Sequence, residues 1–316
     1  MTRLSVGGMT WNSAYHAPVL AREVAELLGT ARDVLDGTLG GGGHTLALLE
    51  RGVRVTGVDR DSQAIEEARA RLAPFVREGR FAAHNCNYAD ITSVSELQGA
   101  RFDGILLDLG VSSHQLDDER RGFTFRPGAI LDMRMGDDAV STAAHFLNTA
   151  PEGELAWVFR EYGDERRAPR LAREVVRRRG TRPFVTSDDF VGAIRGALGP
   201  TSGAPEFARL FQALRIAIND ELQGLERALP MLRDHLSPGG TLAVIAYHSG
   251  EDRLVKHAFR EWSSDCICPP KQPMCTCRGT ALGTLLTRRS VTASQEELAA
   301  NPRARSARLR AWRSAG

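Results

Sequence analysis

The sequence contains no apolar run long enough to cross a lipid bilayer, which excludes a membrane-spanning helix. Its N-terminus also lacks a charged segment followed by an apolar one, so no secretory signal is predicted. Only five cysteines occur in 316 residues, and an odd number of cysteines is typical of a reducing compartment. We therefore predict a cytoplasmic protein that binds no membrane.

Lysine is almost absent, since Lys256 and Lys271 are the only lysines among 41 basic residues. The formal net charge is only +2, but the arginines are concentrated in two segments, 160–182 and 303–313. Such clusters suit the phosphate backbone of a nucleic acid. In the first segment, a solvated helix face paired with nearby carboxylates is an equally good interpretation.

Four consecutive glycines, Gly40 to Gly43, follow an apolar run that begins at Val34. Glycine admits positive φ and lets a ligand approach the backbone, so the loop predicts a nucleotide-type cofactor site. A flexible linker is the alternative, although linkers seldom lie between a buried strand and a helix. A second strand ends at Asp59, at the spacing of a carboxylate that binds ribose hydroxyls.

The glycine loop does not fit a dinucleotide. The G-x-G-x-x-G pattern needs a third glycine, and Thr45 or Leu46 occupies that position. Asp36 would also repel a pyrophosphate, whereas it would attract the ammonium and sulfonium groups of S-adenosyl-L-methionine. That molecule is therefore the predicted cofactor. Alternatively, Asp36 only ties the loop together by accepting hydrogen bonds from backbone amides.

Strand and helix patterns alternate through the early chain, which predicts an α/β fold with a parallel, doubly wound sheet. The predicted elements are strands over 33–37, 53–59, 80–84 and 102–109, and a helix over 62–76. Later elements are a helix over 206–236 broken near Pro230, a fifth strand over 240–247 and an edge strand over 282–291.

Residues 115–213 interrupt this alternation and predict an inserted all-helical domain. Helical patterns recur there at 142–147, 152–162, 167–179 and 187–198, without a convincing strand. Phe123 and Phe125, near the start of the insertion, fit either its core or a contact with a nucleic acid.

The strand over 102–109 carries Asp108 near its end and leads to Ser112 and Ser113. Ligands bind at the carboxyl edge of such a sheet, so these three residues are candidates for chemistry. A carboxylate that ends an apolar strand needs a partner to offset its burial. The two serines have a structural alternative, as the N-cap of a helix.

Ten segments in order make the sequence resemble the RsmH family, also called MraW. They are HAPVL, DGTLGGGGH, LDLGVSS, QLDD, RGFTF, LDMRM, FQALRI, NDEL, YHS with EDR, and NPRARS. The resemblance covers about residues 15–309 and is far more specific than a glycine loop.

The resemblance implies an S-adenosyl-L-methionine-dependent enzyme that methylates N4 of a decoding-centre cytidine in 16S ribosomal RNA. It implies a Rossmann-like class I methyltransferase sheet in residues 1–114 and 214–316, with a substrate-recognition domain in 115–213. The expected partner is 16S rRNA in the small ribosomal subunit, not DNA, and a homodimer is left open. Methylation of another RNA or protein is an alternative function, as is a catalytically silent RNA-binding assembly factor.

The resemblance also assigns residues to the site. Cofactor contacts carried over from the family's motifs are Gly42, Gly43, His44, Asp59, Tyr88, Asp108 and Gln115. The cytosine amine is a poor nucleophile, so an acceptor near N4 would help by localising its lone pair and removing its proton. We assign that catalytic role to Asp108, with Ser112 and Ser113 as orienting groups.

Four cysteines stand in a proline-rich segment, at Cys266, Cys268, Cys275 and Cys277. Four thiolates are enough for a tetrahedral zinc site. Their C-x-C spacing is tighter than the usual C-x-x-C, which favours reduced free thiols, so no metal is assigned from the sequence.

Overall fold

The computed structural model describes residues 5–6, 9–11, 18–269, 272 and 274–315. The first family segment, 16–20, is therefore described only from Pro18, and Ser113 is described by its backbone alone. Within these residues, no helix has both the length and the apolarity needed to cross a membrane.

Two compact units make up the chain. The first joins Met1–Gly110 to Leu222–Gly316, and the second is Val111–Glu221. The sequence analysis placed the corresponding boundaries at 114/115 and 213/214. The observed boundaries lie at 110/111 and 221/222, and one continuous helix, Ala204–Asn219, runs across position 213.

The first unit contains all of the named strands. They are β1 (Ser5–Val6), β2 (Met9–Thr10), β3 (Asp33–Asp36), β4 (Arg54–Asp59), β5 (Phe81–Asn85), β6 (Phe102–Asp108), β7 (Leu236–Ala246), β8 (Gly283–Leu285) and β9 (Arg308–Ser314). β1 and β2 form an antiparallel pair, and the other seven form one sheet in the order β5-β4-β3-β6-β7-β9-β8. β3 to β7 pair in parallel, whereas β9 is antiparallel to both of its neighbours.

Helices flank this sheet and fill the second unit. In chain order they are α1 (Ala21–Leu28), α2 (Gly43–Leu49), α3 (Ser62–Arg71), α4 (Ala73–Arg77), α5 (Ser113–Asp117), α6 (Ala143–Thr149), α7 (Glu152–Glu161), α8 (Ala168–Arg179), α9 (Ser187–Leu198), α10 (Ala204–Asn219), α11 (Glu221–Asp234), α12 (Ser249–Trp262) and α13 (Gln295–Ala300).

The central strands are buried on both faces. Alternate residues of β6 enter different clusters, since Leu106 packs into one core and Ile105 and Leu107 pack into the other. In β7, Ala243 packs into the first of these cores and Val244 packs into the second. Side chains alternate along a strand, so a strand that is apolar throughout must be covered by helices on both sides. The α/β fold class predicted from the sequence is confirmed.

Several elements differ from the sequence prediction. The helix predicted over 62–76 is divided at Leu72 into α3 and α4, and the edge strand predicted over 282–291 is limited to β8, Gly283–Leu285. No strand was predicted in the arginine-rich segment 303–313, but residues Arg308–Ser314 form β9 inside the sheet, next to β7. The long helix predicted over 206–236 breaks at Asp220, which has a φ of 52°, and not near Pro230, which lies inside α11. Aspartate tolerates this left-handed conformation better than most residues, so no proline or glycine marks the break.

The second unit has its own aromatic core. Phe159 stacks on Phe190, which contacts Phe211. Phe123 is buried in the same core, and Phe125 packs edge-on against Phe211. Of the two roles left open for Phe123 and Phe125, their position therefore favours the core.

Candidate active site

Three aspartates lie at the carboxyl ends of adjacent parallel strands. Asp36 of β3 is in register with Gly57 of β4 and Leu106 of β6. Asp59 and Asp108 each lie two residues beyond those partners. They are therefore at the same height on either side of β3, roughly 10 Å apart at the usual strand spacing.

The glycine loop connects the end of β3 to α2. In the sheet, β3 lies between the strands that carry Asp59 and Asp108. Gly40 has a φ of 49°, and a Cβ added there would meet nothing within 4 Å, so the loop faces open space at this point. Gly42 has a φ of 72° at the N-cap of α2, where a Cβ would lie 2.9 Å from Leu72. The loop thus needs glycine for its conformation at Gly40 and Gly42, and for packing at Gly42.

Asp59 supports the loop. Its Oδ2 accepts a hydrogen bond from the Gly40 N–H at 2.8 Å, and its Oδ1 accepts one from the Asp61 N–H at 2.9 Å. Burial raises the pKa of Asp59 to about 6, and the negative charges of Asp61 and Asp36 act in the same direction. The carboxylate at the predicted ribose position therefore titrates near pH 6.

Asp36 is 1% exposed and ties the loop to α2. Its Oδ2 accepts a hydrogen bond from the Thr45 hydroxyl at 2.7 Å, and its Oδ1 accepts one from the Thr38 N–H at 3.2 Å. Burial raises its pKa. Both oxygens are thus used within the loop, which is the structural role that the sequence analysis left as an alternative to attracting the cofactor.

Asp108 has the partners that its burial requires. The Tyr247 hydroxyl donates to Asp108 Oδ1 at 2.8 Å, and His44 Nδ1 lies 3.7 Å from Asp108 Oδ2. The other ring nitrogen of His44 is 2.8 Å from the Val19 carbonyl oxygen, which fixes the ring. Burial and the charge of Asp108 raise the pKa of Tyr247 well above its ordinary value, so its hydroxyl stays a donor.

Tyr247 is positioned by the turn from β7 into α12. Glu251, 2% exposed, accepts a hydrogen bond from the Tyr247 N–H at 2.8 Å and one from the His248 N–H at 3.2 Å. A carboxylate in the first turn of a helix satisfies amides that have no partner inside the helix. The segment is one of the family motifs, but the sequence does not show the contact between Tyr247 and Asp108, which are 139 positions apart.

The remaining predicted cofactor residues of the first unit also lie near the loop or after β5. Gly43 begins α2 and would place a Cβ 3.0 Å from Pro18. Tyr88 is half-buried and begins a 3₁₀ turn, Tyr88–Ser93, three residues after β5 ends. Its Cβ is 3.3 Å from the position that a Cβ on Gly37 would take, so the tyrosine packs beside the end of β3.

Ser112, Ser113 and Gln115 belong to the second unit. Ser112 caps α5 by accepting a hydrogen bond from the Gln115 N–H at 3.2 Å, and the Ser112 N–H donates to Gln115 Oε1 at 3.0 Å. The structure therefore gives Ser112 the capping role that was its structural alternative. The assigned roles of all three residues in catalysis and cofactor binding stay predictions.

Many arginines of the segment 160–182 have partners inside the second unit. Arg177 and Arg178 both bond Glu174 at 2.7 Å, and Arg179 donates to backbone carbonyls. Part of this segment is therefore a helix face paired with a carboxylate. Its solvent-exposed members include Arg160, Arg166, Arg170, Arg173 and Arg182.

The C-terminal arginines also include both a paired residue and exposed ones. Arg310 forms a two-point ion pair with Asp252, at 2.7 and 3.0 Å, with 11% and 17% of the two side chains exposed. This residue holds β9 to α12. The exposed members of the cluster are Arg303, Arg305, Arg308 and Arg313.

The sheet order, with its antiparallel β9, and the carboxylates on either side of a glycine loop define a class I methyltransferase fold. The whole-chain comparison identifies the family. A family model described as the MraW methylase family matches residues 13–315, and the chain belongs to that family. The sequence-based predictions of the family and of a methyltransferase are confirmed.

Curated relatives are similar over nearly the whole chain. A protein of Gemmatimonas aurantiaca named ribosomal RNA small subunit methyltransferase H is 64% identical over 301 residues, covering 95% of this chain and 96% of the relative. A protein of the same name from Heliobacterium mobile is 46% identical over 306 residues, covering 94% and 97%.

Solved structures are more distant. An rRNA methylase from Streptococcus thermophilus has a TM-score of 0.41 at 11% identity, covering 94% of both chains. The N-methyltransferase NodS of Bradyrhizobium japonicum, in complex with S-adenosyl-L-homocysteine, has a TM-score of 0.41 at 9% identity, covering 93% of this chain and 85% of NodS.

Proposed function

We propose that this chain methylates N4 of a cytidine in 16S ribosomal RNA of the small ribosomal subunit, with S-adenosyl-L-methionine as the methyl donor. The observation that carries the proposal is the pair formed by Asp59 and Asp108, level with each other on either side of β3 at the edge where the glycine loop begins. Membership of the MraW methylase family and the names of its curated relatives support the substrate class.

The described residues fit this cofactor. The backbone is open at Gly40, and Asp59 next to it offers carboxylate oxygens to ribose hydroxyls. Asp59 and Asp108 make this edge acidic, which suits a ligand with a sulfonium and an ammonium. A pyrophosphate would be repelled there. S-adenosyl-L-methionine, when bound, would supply a methyl carbon open to in-line attack by a nitrogen, with the sulfur leaving as a neutral thioether.

Asp108 is the proposed proton acceptor. The Tyr247 hydroxyl and the fixed His44 ring hold its carboxylate in one orientation. A positioned carboxylate can accept a hydrogen bond from the cytosine amine, which localises the nitrogen lone pair, and can then take the proton. Holding the amine and the methyl group at near-attack distance supplies much of the rate enhancement.

Exposed arginines are the proposed contacts to RNA phosphates. Arginine clusters favour phosphate because each guanidinium offers several donors in a planar array. Because a base must leave its stack to be modified, the surrounding RNA has to be held while the target cytosine is extruded. We assign substrate recognition to the second unit, in keeping with its separate core.

The decisive experiment incubates the purified full chain with small ribosomal subunits and methyl-tritiated S-adenosyl-L-methionine, followed by nucleoside analysis of the RNA. The expected product is N4-methylcytidine in 16S RNA. Label in another nucleoside, or in a ribosomal protein, would show an enzyme with a different substrate. No transfer to subunits that lack the modification would favour a catalytically silent assembly factor.

A further inference from the structure

The four cysteines left unassigned by the sequence converge in space. They lie in the loop between α12 and β8, and the Sγ atoms of Cys266, Cys268, Cys275 and Cys277 are all within 4.8 Å of one another. The site proposed for methyl transfer uses none of them. Cys86, the fifth cysteine, is not part of this group.

Four of the six sulfur separations are close to the edge length of a metal-centred tetrahedron, and none of the six exceeds 4.8 Å. Cys275 Sγ is 3.8 Å from Cys266 Sγ, 3.8 Å from Cys268 Sγ and 3.4 Å from Cys277 Sγ, and Cys277 Sγ is 3.8 Å from Cys266 Sγ. Four sulfurs around zinc at about 2.3 Å would be roughly 3.8 Å apart. A disulfide needs sulfurs at about 2.05 Å, so these distances do not describe one.

No buried side chain holds the described part of this loop together. None of its described residues from 263 to 281 is buried, and its larger apolar side chains, Ile267 and Met274, are 43% and 76% exposed. Thiols are weak hydrogen-bond donors and give little reason for four side chains to meet at the surface. A bound metal would supply the energy that a hydrophobic core cannot supply here.

The backbone is arranged for such a centre. The Ile267 N–H donates to Cys277 Sγ at 3.3 Å, a bond that stabilises negative charge on sulfur. The ends of the loop are joined independently, since the Leu282 N–H donates to the Trp262 carbonyl at 2.7 Å and the Ala281 N–H donates to Asp265 at 3.1 Å. The loop can therefore bring its two C-x-C pairs together without moving the sheet.

We propose that Cys266, Cys268, Cys275 and Cys277 bind one structural zinc ion. All four positions of the tetrahedron are filled by protein sulfur, which leaves no place for water or substrate and excludes a catalytic metal. This inference reverses the preference for free thiols drawn from the C-x-C spacing. Spacing alone cannot show that two such pairs, separated by a turn, face each other.

The test is metal analysis of the full chain, purified with a phosphine reductant after growth with added zinc. We expect about one zinc per chain in the wild-type protein and in the control Cys86→Ser. The double variant with Cys266→Ser and Cys275→Ser should lose the zinc. Its folding is checked by far-ultraviolet circular dichroism, and cobalt replacement in the wild type should give a thiolate-to-cobalt charge-transfer band.

Three results would overturn the proposal. They are a wild-type chain that contains no stoichiometric zinc and gives no thiolate band with cobalt, a folded double variant that retains as much zinc as the wild type, and a chain that holds iron in place of zinc. Because each readout is a metal content or a spectrum, it is independent of methyl transfer.

Discussion

Asp108 combines burial with a defined set of partners. Its side chain is 8% exposed and faces a tyrosine hydroxyl that burial keeps protonated. A carboxylate held in this way can accept a hydrogen bond from an incoming amine without first having to reorganise. The residue therefore connects the packing of β6 and β7 with the proposed chemistry.

Replacing Asp108 by asparagine should lower kcat for methyl transfer by about 100-fold or more, because the amide cannot accept a proton. Tritium transfer to small subunits measures the rate, and calorimetry with S-adenosyl-L-homocysteine measures binding. Asp103→Asn, at the opposite end of the same strand, is the matched control and should retain activity. If Asp108→Asn leaves both turnover and cofactor affinity intact, the assignment is wrong.

Asp59 should make cofactor binding depend on pH. Burial raises its pKa to about 6, so the residue is a carboxylate at pH 8 and mostly an uncharged acid at pH 5. Because only the carboxylate can accept hydrogen bonds through both oxygens, affinity should fall as pH drops through 6. With that pKa, binding at pH 5 should be about tenfold weaker than at pH 8.

Calorimetric titrations at the two pH values measure this effect. Asp59→Asn should bind weakly and with little change between them, since its side chain no longer titrates. A wild-type affinity that is constant from pH 8 to pH 5 would contradict the assignment. A fall that persists in Asp59→Asn would assign the pH dependence to another group.

At the level of elements, β9 alternates buried apolar residues with arginines. Leu309 and Ala311 are buried and alternate with Arg308 and Arg310. That alternation is the period of a strand, and it was present in the sequence. The density of arginines favoured the interpretation as a contact with a phosphate backbone, and the strand was therefore missed.

Arg310→Ala should destabilise the chain by about 2 kcal/mol, because it leaves the largely buried Asp252 without its cation. Arg313→Ala removes an exposed arginine from the same strand and should change stability by less than about 0.5 kcal/mol. Chemical denaturation followed by circular dichroism compares the two. Equal effects would show that the ion pair contributes no more than an exposed arginine does.

Pro230 lies exposed inside α11 and did not end the helix as predicted. Pro230→Ala should restore a backbone hydrogen bond and raise the free energy of unfolding by about 1 to 3 kcal/mol. The control is Gln223→Ala, another exposed position of α11, with an expected change below about 0.5 kcal/mol. A melting temperature that is unchanged or lower in Pro230→Ala would show that the helix pays no penalty for its proline.

For the whole molecule, local sequence patterns predicted strands and their order, but they did not predict contacts between residues far apart in the chain. The strands ending at Asp59 and Asp108 follow from short apolar runs, and the sheet's carboxyl edge follows from their parallel order. The partners of Asp108 could not be found in this way, because Tyr247 reaches it only through the pairing of β6 with β7. The convergence of Cys266 with Cys275 likewise depends on how a loop folds back, which its composition does not specify.

The central claim is that the edge between Asp59 and Asp108 binds a sulfonium nucleoside. Isothermal titration calorimetry of the full, folded chain with S-adenosyl-L-methionine and with S-adenosyl-L-homocysteine tests it most directly. We predict saturable binding of both molecules, with about one site per chain and weaker binding to Asp59→Asn. A folded chain that binds neither molecule would contradict the account.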